Sequence, residues 1–485
     1  MRTIRTMLSD MYTPEWAKHA VFYQIFPDRF ALSERVVKPQ GLEPWYSPPT
    51  VHGYKGGDLL GVVEKLDYLQ DLGITALYFN PVFQSASNHR YHTHDYFQVD
   101  PMLGGNAALR ELLDESHKRG LKVVLDGVFN HASRGFFQFH DILENGDKSP
   151  YLDWFHVRKY PLNAYGGGDI GYDAWWGLPA LPKFNTNTPA VREFLFSVAT
   201  FWLHFGIDGW RLDVPNEIAD DKFWQEFRTR CRAVNPECYI VGEIWDDATR
   251  WLQGDQFDAV MNYPIARAIY GFVAKGLNDA EIMRSGFQKI YKLDALEFVE
   301  ELGVLFSKHR PEVVDAQLNL LCSHDTPRAL TILKQNETAL RLAILLQFFL
   351  PGVPCLYYGD ELGLAGNHDP DNRAAMPWQA QQHWNHSLRG YIKGLLGLYR
   401  QHPALRRGVF KVIYARGKMV VLERKLENSH AVVIVNAEDS SLSLNVSVTA
   451  NDGSYQDALG QQTFQVKGQN LTGEVQARSG HLLVL

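Results

Sequence analysis

Short apolar, β-rich runs recur along the chain, separated by longer amphipathic stretches. The runs are "AVFYQIF" (20–26), "ALYFN" (76–80), "KVVLDGVFN" (122–130), "DGWRLDV" (208–214), "CYIVGEI" (238–244), "FDAVMNY" (257–263), "LNLLCSHD" (318–325) and "PCLYYGDE" (354–361). Between them the apolar spacing turns helical. After "KGGD", with Asp58 as N-cap, Leu59, Val62, Val63, Leu66, Leu69 and Leu72 fall on one helix face. Eight strand-helix repeats with nearly continuous apolar strands predict an α/β fold of the (β/α)8 TIM barrel type, with a doubly wound open sheet as the alternative.

Two regions break the period. Residues 131–188 are too long for a simple connection and read as a small domain inserted after strand 3, containing "YGGGDIGYDAWWGLPALPKFN". After the helical pattern at 388–402 the texture becomes alternating strands, "MVVLERKL", "AVVIVNA" and "LSLNVSV", which predicts a C-terminal antiparallel β-sandwich over 403–485. The barrel then comprises 1–130 and 189–402.

Within "GWRLDVPNE" (209–217), strand alternation sends Trp210, Leu212 and Val214 to one face and Arg211 with Asp213 to the other. Alone, such a pair is equally well read as a self-satisfying buried ion pair. Barrel active sites lie at the C-terminal strand ends, however, and those ends also carry His131, Glu243, His324 and Asp325. Three carboxylates, two histidines and an arginine on one rim are a costly way to build a core, so together they read as a site.

Composition narrows the chemistry. A net charge of −7 over 485 residues, without long Lys/Arg runs, gives no footprint for nucleic acid or an anionic membrane, so a neutral partner is expected. The N-terminal stretch "MRTIRTMLSDMYTPEW" has no apolar core of a secretory signal, and no run reaches transmembrane length, which predicts a cytoplasmic protein. The four cysteines, Cys231, Cys238, Cys322 and Cys355, are scattered and read as buried thiols. None of the 18 histidines forms a zinc-like spacing, and no cofactor or metal is expected.

Paired carboxylates are the standard apparatus for cleaving a glycosidic bond with retention. Arg211 beside Asp213 favours an ionised nucleophile, whereas Glu243 needs a less polar setting, expected beside Trp245, to hold the proton it donates. Tyr96, Trp175, Trp176 and Trp245 offer flat faces for sugar rings. Phosphoryl transfer is disfavoured, because no phosphate-cradling glycine motif is present.

In these motifs the chain resembles the α-amylase superfamily, glycoside hydrolase family 13, from about residue 19 to the C-terminus. "DGVFNH" (126–131), "GWRLDVPNE", "GEIW" (242–245) and "CSHD" (322–325) are similar to its four conserved regions in order. The resemblance implies Asp213 as nucleophile, Glu243 as general acid/base and Asp325 as transition-state stabiliser, with Arg211, His131 and His324 binding the first sugar. By the same resemblance "HDYFQVD" (94–100) supplies the sugar-stacking Tyr96 with His94 beside it, and "DPDNR" (369–373) supplies substrate-contacting Asp369 and Arg373.

"LPKFN" (181–185) and Glu217 are similar to the neopullulanase, cyclomaltodextrinase and maltogenic amylase group, whose substrates are maltooligosaccharides, cyclodextrins, pullulan and branched α-glucans. That group usually carries an N-terminal domain that helps form a dimer and walls the cleft. With about 19 residues before the first strand, an open cleft around Asn216, Glu217 and Trp245 is expected, and any homodimer is expected through another surface. The loop after "DRF" lacks the Asn/Asp pattern of a calcium loop, although Asn130 matches a residue near the other calcium site of typical amylases. Two enzymatic alternatives use the same residues, a transglycosylase and a dedicated α-1,6 debranching enzyme. A non-catalytic α-glucan-binding protein is the alternative from another class.

Overall fold

The computed structural model describes residues 12–485. The N-terminal stretch whose composition argued against a secretory signal lies largely outside them. The chain divides into two compact units, one made chiefly of Gln24–Gln70 and Thr75–Val260, the other of Glu15–Tyr23, Asp71–Ile74 and Met261–Leu485.

All eight predicted barrel strands form: β1 (Phe22–Ile25), β2 (Ala76–Phe79), β5 (Lys122–Gly127), β6 (Gly209–Leu212), β7 (Tyr239–Gly242), β8 (Ala259–Val260), β9 (Leu318–Leu320) and β10 (Val353–Tyr357). A hairpin of β3 (Phe83–Ser85) and β4 (Thr93–Val99) sits between β2 and β5 in the chain. In the first unit β2, β5, β6, β7 and β8 pair in parallel, in that order. In the second unit β10 pairs in parallel with β9, and Met261, one residue past β8, bridges in parallel to Leu318. β1 runs between β2 and β10, so the eight parallel strands form a nearly closed barrel. The open sheet is thereby excluded.

The strands are fully buried on both faces, which explains their unbroken apolar text. Helices follow most strands. Asp58 caps its helix as expected, accepting from the Gly61 amide at 2.7 Å, and Pro189–Phe205, Asp221–Val234, Tyr263–Val273, Glu337–Phe349 and His386–Gln401 follow β5, β6, β8, β9 and β10. The repeat fails after β7. There the link to β8 holds only a three-residue 3-10 turn, Thr249–Trp251, in place of a full helix.

The C-terminal region contains β11 (Val409–Arg416), β12 (Met419–Leu426), β13 (Ser429–Asn436), β14 (Leu442–Ser447), β15 (Gly453–Gln456), β16 (Thr463–Lys467), β17 (Asn470–Val475) and β18 (Ser479–Val484). These make two four-stranded antiparallel sheets, ordered β11-β12-β13-β18 and β14-β17-β16-β15. Val421, Val432 and Ile434 from one sheet and Leu444, Phe464 and Leu471 from the other share a core, the arrangement alternating apolar strands require. All four cysteines are buried and in no disulfide. No described helix is long and apolar enough to cross a membrane.

Candidate active site

Parallel register sets the centre of the first unit's site. Asp126 on β5 is level with Arg211 on β6, which is level with Val241 on β7. Three carboxylates converge on the Arg211 guanidinium: Nη1 lies 2.8 Å from Asp126 and 3.0 Å from Asp213, and Nη2 lies 2.9 Å from Glu243. Arg211 and Asp213 thus share a face, as strand alternation requires. Burial opposes the guanidinium charge, but Asp126 and Glu243 outweigh it and hold the Arg211 pKa well above its ordinary value. The side chains of Asp126, Arg211, Asp213 and Glu243 are all buried.

The strand stops at Leu212, and Val214 turns into the left-handed region at φ 34° and ψ 51°. A β-branched residue there is strained. The turn aims the Val214 amide at Glu243 Oε2, 3.1 Å away. Trp245 Nε1 donates to Glu243 Oε1 at 3.0 Å. Glu243 is buried and accepts from these two donors, so the indole expected beside it meets it with its N–H rather than its face.

His131 follows β5 and is 1% exposed, with Nε2 making no hydrogen bond among the described residues. Burial, aided by His92, pushes its pKa down to about 3, so its imidazole is neutral at ordinary pH. Lys183 of "LPKFN" bridges to His131 through the backbone, and its ammonium bonds Glu217 at 2.8 Å.

Tyr96 corrects the sequence reading. It is 1% exposed, its ring packs edge-on against Phe136 and Phe194, and its hydroxyl donates to the His131 carbonyl at 2.8 Å. The ring is a core side chain that supports His131 and has no face left for a sugar. Tyr91, which sequence reasoning missed, lies at the charge cluster instead: its hydroxyl donates to Asp126 at 2.8 Å and lies 3.4 Å from Arg211 Nη1. It precedes β4 in a loop, where periodicity carries no signal. Asp126 was legible within "DGVFNH" but went unassigned. His94 lies against Gly135 in the inserted segment.

The second unit holds its own cluster. His324 Nε2 is 3.0 Å from Asp325 Oδ2, and Arg373 reaches Asp325 at 3.4 Å, Asp369 at 3.1 Å and the His324 carbonyl at 2.9 Å. Asn372, fully buried, donates to the carbonyls of His324 at 2.7 Å and Thr326 at 2.8 Å, fixing the loop that carries Asp325. "DPDNR" and "CSHD" are therefore one structural unit, and Asn372, like Tyr91 and Asp126, was not identified from sequence.

Among the described residues no His, Cys, Asp or Glu group is arranged to hold a metal. Within "DRF" itself, Asp28 is engaged by Arg29 at 2.7 Å and by the amides of Lys55 and Gly56. The Lys38 ammonium lies 2.9 Å from Asp58 and 2.6 Å from the Met102 carbonyl, placing a side-chain cation in this loop. Asn130 Nδ2 contacts His131 Nδ1 at 3.3 Å.

Comparison with known proteins gives consistent results. The family described as "Alpha amylase, catalytic domain" matches residues 24–394. A cyclomaltodextrinase of Geobacillus thermopakistaniensis is 42% identical over 441 residues, covering 90% of this chain and 72% of that protein. Among solved structures, Ttha1563 from Thermus thermophilus superposes with a TM-score of 0.92 at 49% identity, over 97% of this chain and 99% of that one. The native debranching enzyme of Nostoc punctiforme gives 0.89 at 47% identity, over 98% and 100%.

Proposed function

Since the chain belongs to the alpha-amylase family of glycoside hydrolases and is an α-glucan hydrolase, we propose that it works by retention, with Asp213 as nucleophile and Glu243 as general acid/base. The observation that supports this most is the crowding of three carboxylates on one guanidinium. Asp126 is committed to Arg211 and Tyr91, while Asp213 and Glu243 stand at strand ends.

In this reading Glu243 gives its proton to the glycosidic oxygen while the Asp213 carboxylate attacks the anomeric carbon. The sugar is then held as a β-linked ester on Asp213. Glu243, now ionised, takes a proton from water as that water attacks the same carbon, releasing an α-anomeric product. By family resemblance Asp325 stabilises the developing oxocarbenium charge, and His131, His324, Asp369 and Arg373 bind sugar hydroxyls. Tyr91 replaces Tyr96 as the aromatic beside the first sugar. Glu217, with Lys183, and Trp245 contact the leaving portion of the substrate. No step is assigned to a metal, and we assign the enzyme to the cytoplasm.

Both α-1,4 and α-1,6 bonds are proposed substrates. A dedicated α-1,6 debranching activity is the second reading, favoured by end-to-end similarity to the Nostoc debranching enzyme. Pullulan separates them. Cleavage of its α-1,6 bonds releases maltotriose, whereas α-1,4 cleavage releases panose or isopanose, and chromatography of early products distinguishes the two. Panose-type products together with hydrolysis of linear maltooligosaccharides support the broader reading. Maltotriose alone, with linear chains untouched, establishes the debranching one. No release of reducing ends from pullulan, amylopectin, cyclodextrin or maltooligosaccharides refutes both.

A further inference from the structure

The inserted segment carries an aromatic feature that the chemistry around Arg211 does not use. His131 stacks on Trp175 at 5.5 Å and 23°, and Trp175 stacks on Trp176 at 4.4 Å and 10°. Trp176 is 81% exposed and adopts the left-handed conformation, with φ 51° and ψ 21°. The Gly177 amide, bonded to the Ala174 carbonyl, and the Leu178 amide, bonded to the Trp175 carbonyl, fix the turn. A non-glycine residue in this conformation costs on the order of 1–3 kcal/mol and recurs at ligand-binding sites.

Beside this turn lies a cavity of about 450 Å³, within the size range of small-molecule sites. Ala174 and Gly177, which bracket the tryptophans, line it together with Arg158, Asp169, Asp173 and Lys183. Its charges are matched: Arg158 pairs with Asp169 and Asp173, Lys159 with Asp169, and Lys183 with Glu217. The lining itself holds two cations, Arg158 and Lys183, and two carboxylates, Asp169 and Asp173, so it has no net charge to draw an anion or a cation. These groups do give adjacent donors and acceptors that suit vicinal hydroxyls, next to a flat indole that suits the apolar face of a pyranose ring.

We propose that Trp176 and this cavity form an accessory α-glucan subsite on the inserted segment. It holds glucosyl units of a long or branched chain beyond those bound near His131, and the His131–Trp175–Trp176 stack joins the two places. An α-glucan is the occupant because the matched charges and the exposed indole both select a neutral polyhydroxyl ring, and because the stack leads to His131. The proposal rests on the α-glucan hydrolase reading and adds chain-length selectivity to it.

The test uses the full chain with Trp176→Ala and Arg158→Ala, compared on maltoheptaose and maltotriose. The kcat/KM ratio of the longer to the shorter substrate is expected to fall about tenfold in Trp176→Ala, about 1.4 kcal/mol, and several-fold in Arg158→Ala. Trp176→Tyr retains most of the ratio. In an Asp213→Asn background, maltoheptaose quenches tryptophan fluorescence, and Trp176→Ala removes most of that quench. An unchanged ratio in both variants with hydrolysis intact overturns the accessory subsite. Failure of the wild-type protein to hydrolyse any α-glucan overturns the functional reading instead, and the fluorescence titration then still decides whether Trp176 meets a glucan.

Discussion

Two buried arginines, one in each unit, show how the same residue type serves different ends. Arg211 faces Asp126, Asp213 and Glu243, three carboxylates against one guanidinium. Arg328 faces one, Asp360 at 3.5 Å, and is otherwise surrounded by the carbonyls of Tyr358 and Asn372 and by the rings of Tyr357 and Tyr358. Burial pushes the Asp360 carboxyl up, and Cys322 Sγ donates to it at 3.3 Å. The second cluster is close to charge-balanced and needs nothing further. The first carries a surplus of negative charge in a buried place, which is costly unless the surplus does chemistry. The number of carboxylates per guanidinium, rather than burial alone, distinguishes the two clusters.

The comparison breaks if equivalent substitutions in the two clusters act alike. Asp213→Ala or Glu243→Gln is expected to lower kcat by more than about 1,000-fold with the fold intact, read by reducing-sugar assay and circular dichroism. Asp126→Asn alters the support of both Arg211 and the Tyr91 hydroxyl and is expected to lower kcat roughly 10–100-fold, the scale of a small misplacement of reacting groups. Asp360→Asn is expected to keep kcat within about threefold while lowering stability by about 1–3 kcal/mol. Equal kinetic losses for Asp126→Asn and Asp360→Asn would erase the distinction.

A smaller effect comes from His131. Its folded pKa, about 3, lies below the ordinary value of 6.5, so between these values the unfolded chain binds a proton that the folded chain does not. Stability therefore rises with pH across that window and is lost as pH falls through it. At pH 4.5 His131→Asn is expected to recover about 2.5 kcal/mol of this acid-induced loss relative to its effect at pH 7.5, measured by denaturant titration. His92, pushed down to about 4 by burial and by Arg134, adds to the wild-type trend. Smallest is the response to chelation. With Lys38 already neutralising Asp58, EDTA is expected to shift Tm by less than about 1 °C, because without bound calcium there is no mass-action stabilisation to remove. A large loss restored by calcium would point to another cation site, with Asn130 the first residue to substitute.

The sequence revealed what periodicity encodes. The barrel strands are buried on both faces, so their apolar runs stood out, and Arg211 with Asp213 broke one of them visibly. The ends of the runs were misjudged where the backbone leaves the ladder: "DGWRLDV" stops at Leu212 because Val214 turns left-handed, and "LNLLCSHD" stops at Leu320. The donor-rich setting of Glu243 was hidden for the same reason, since the Val214 amide reaches it only through that turn. Tyr91 and Tyr96 stand five residues apart, the first just before "HDYFQVD" and the second within it. Only the packing of Phe136 and Phe194 against the second decides which of them is enclosed.

The central claim, that Asp213 is the nucleophile of a retaining α-glucan hydrolase, is tested most directly by trapping the intermediate. Incubation with a 5-fluoro-α-glucosyl fluoride slows hydrolysis of the glycosyl-enzyme enough for proteolysis and mass spectrometry. The account predicts one glycosyl group per chain, on the peptide containing "GWRLDVPNE" and at Asp213, with α-anomeric product seen by proton NMR for a natural substrate. A label on Glu243 or Asp325, or β-anomeric product with no trapped ester, would contradict it.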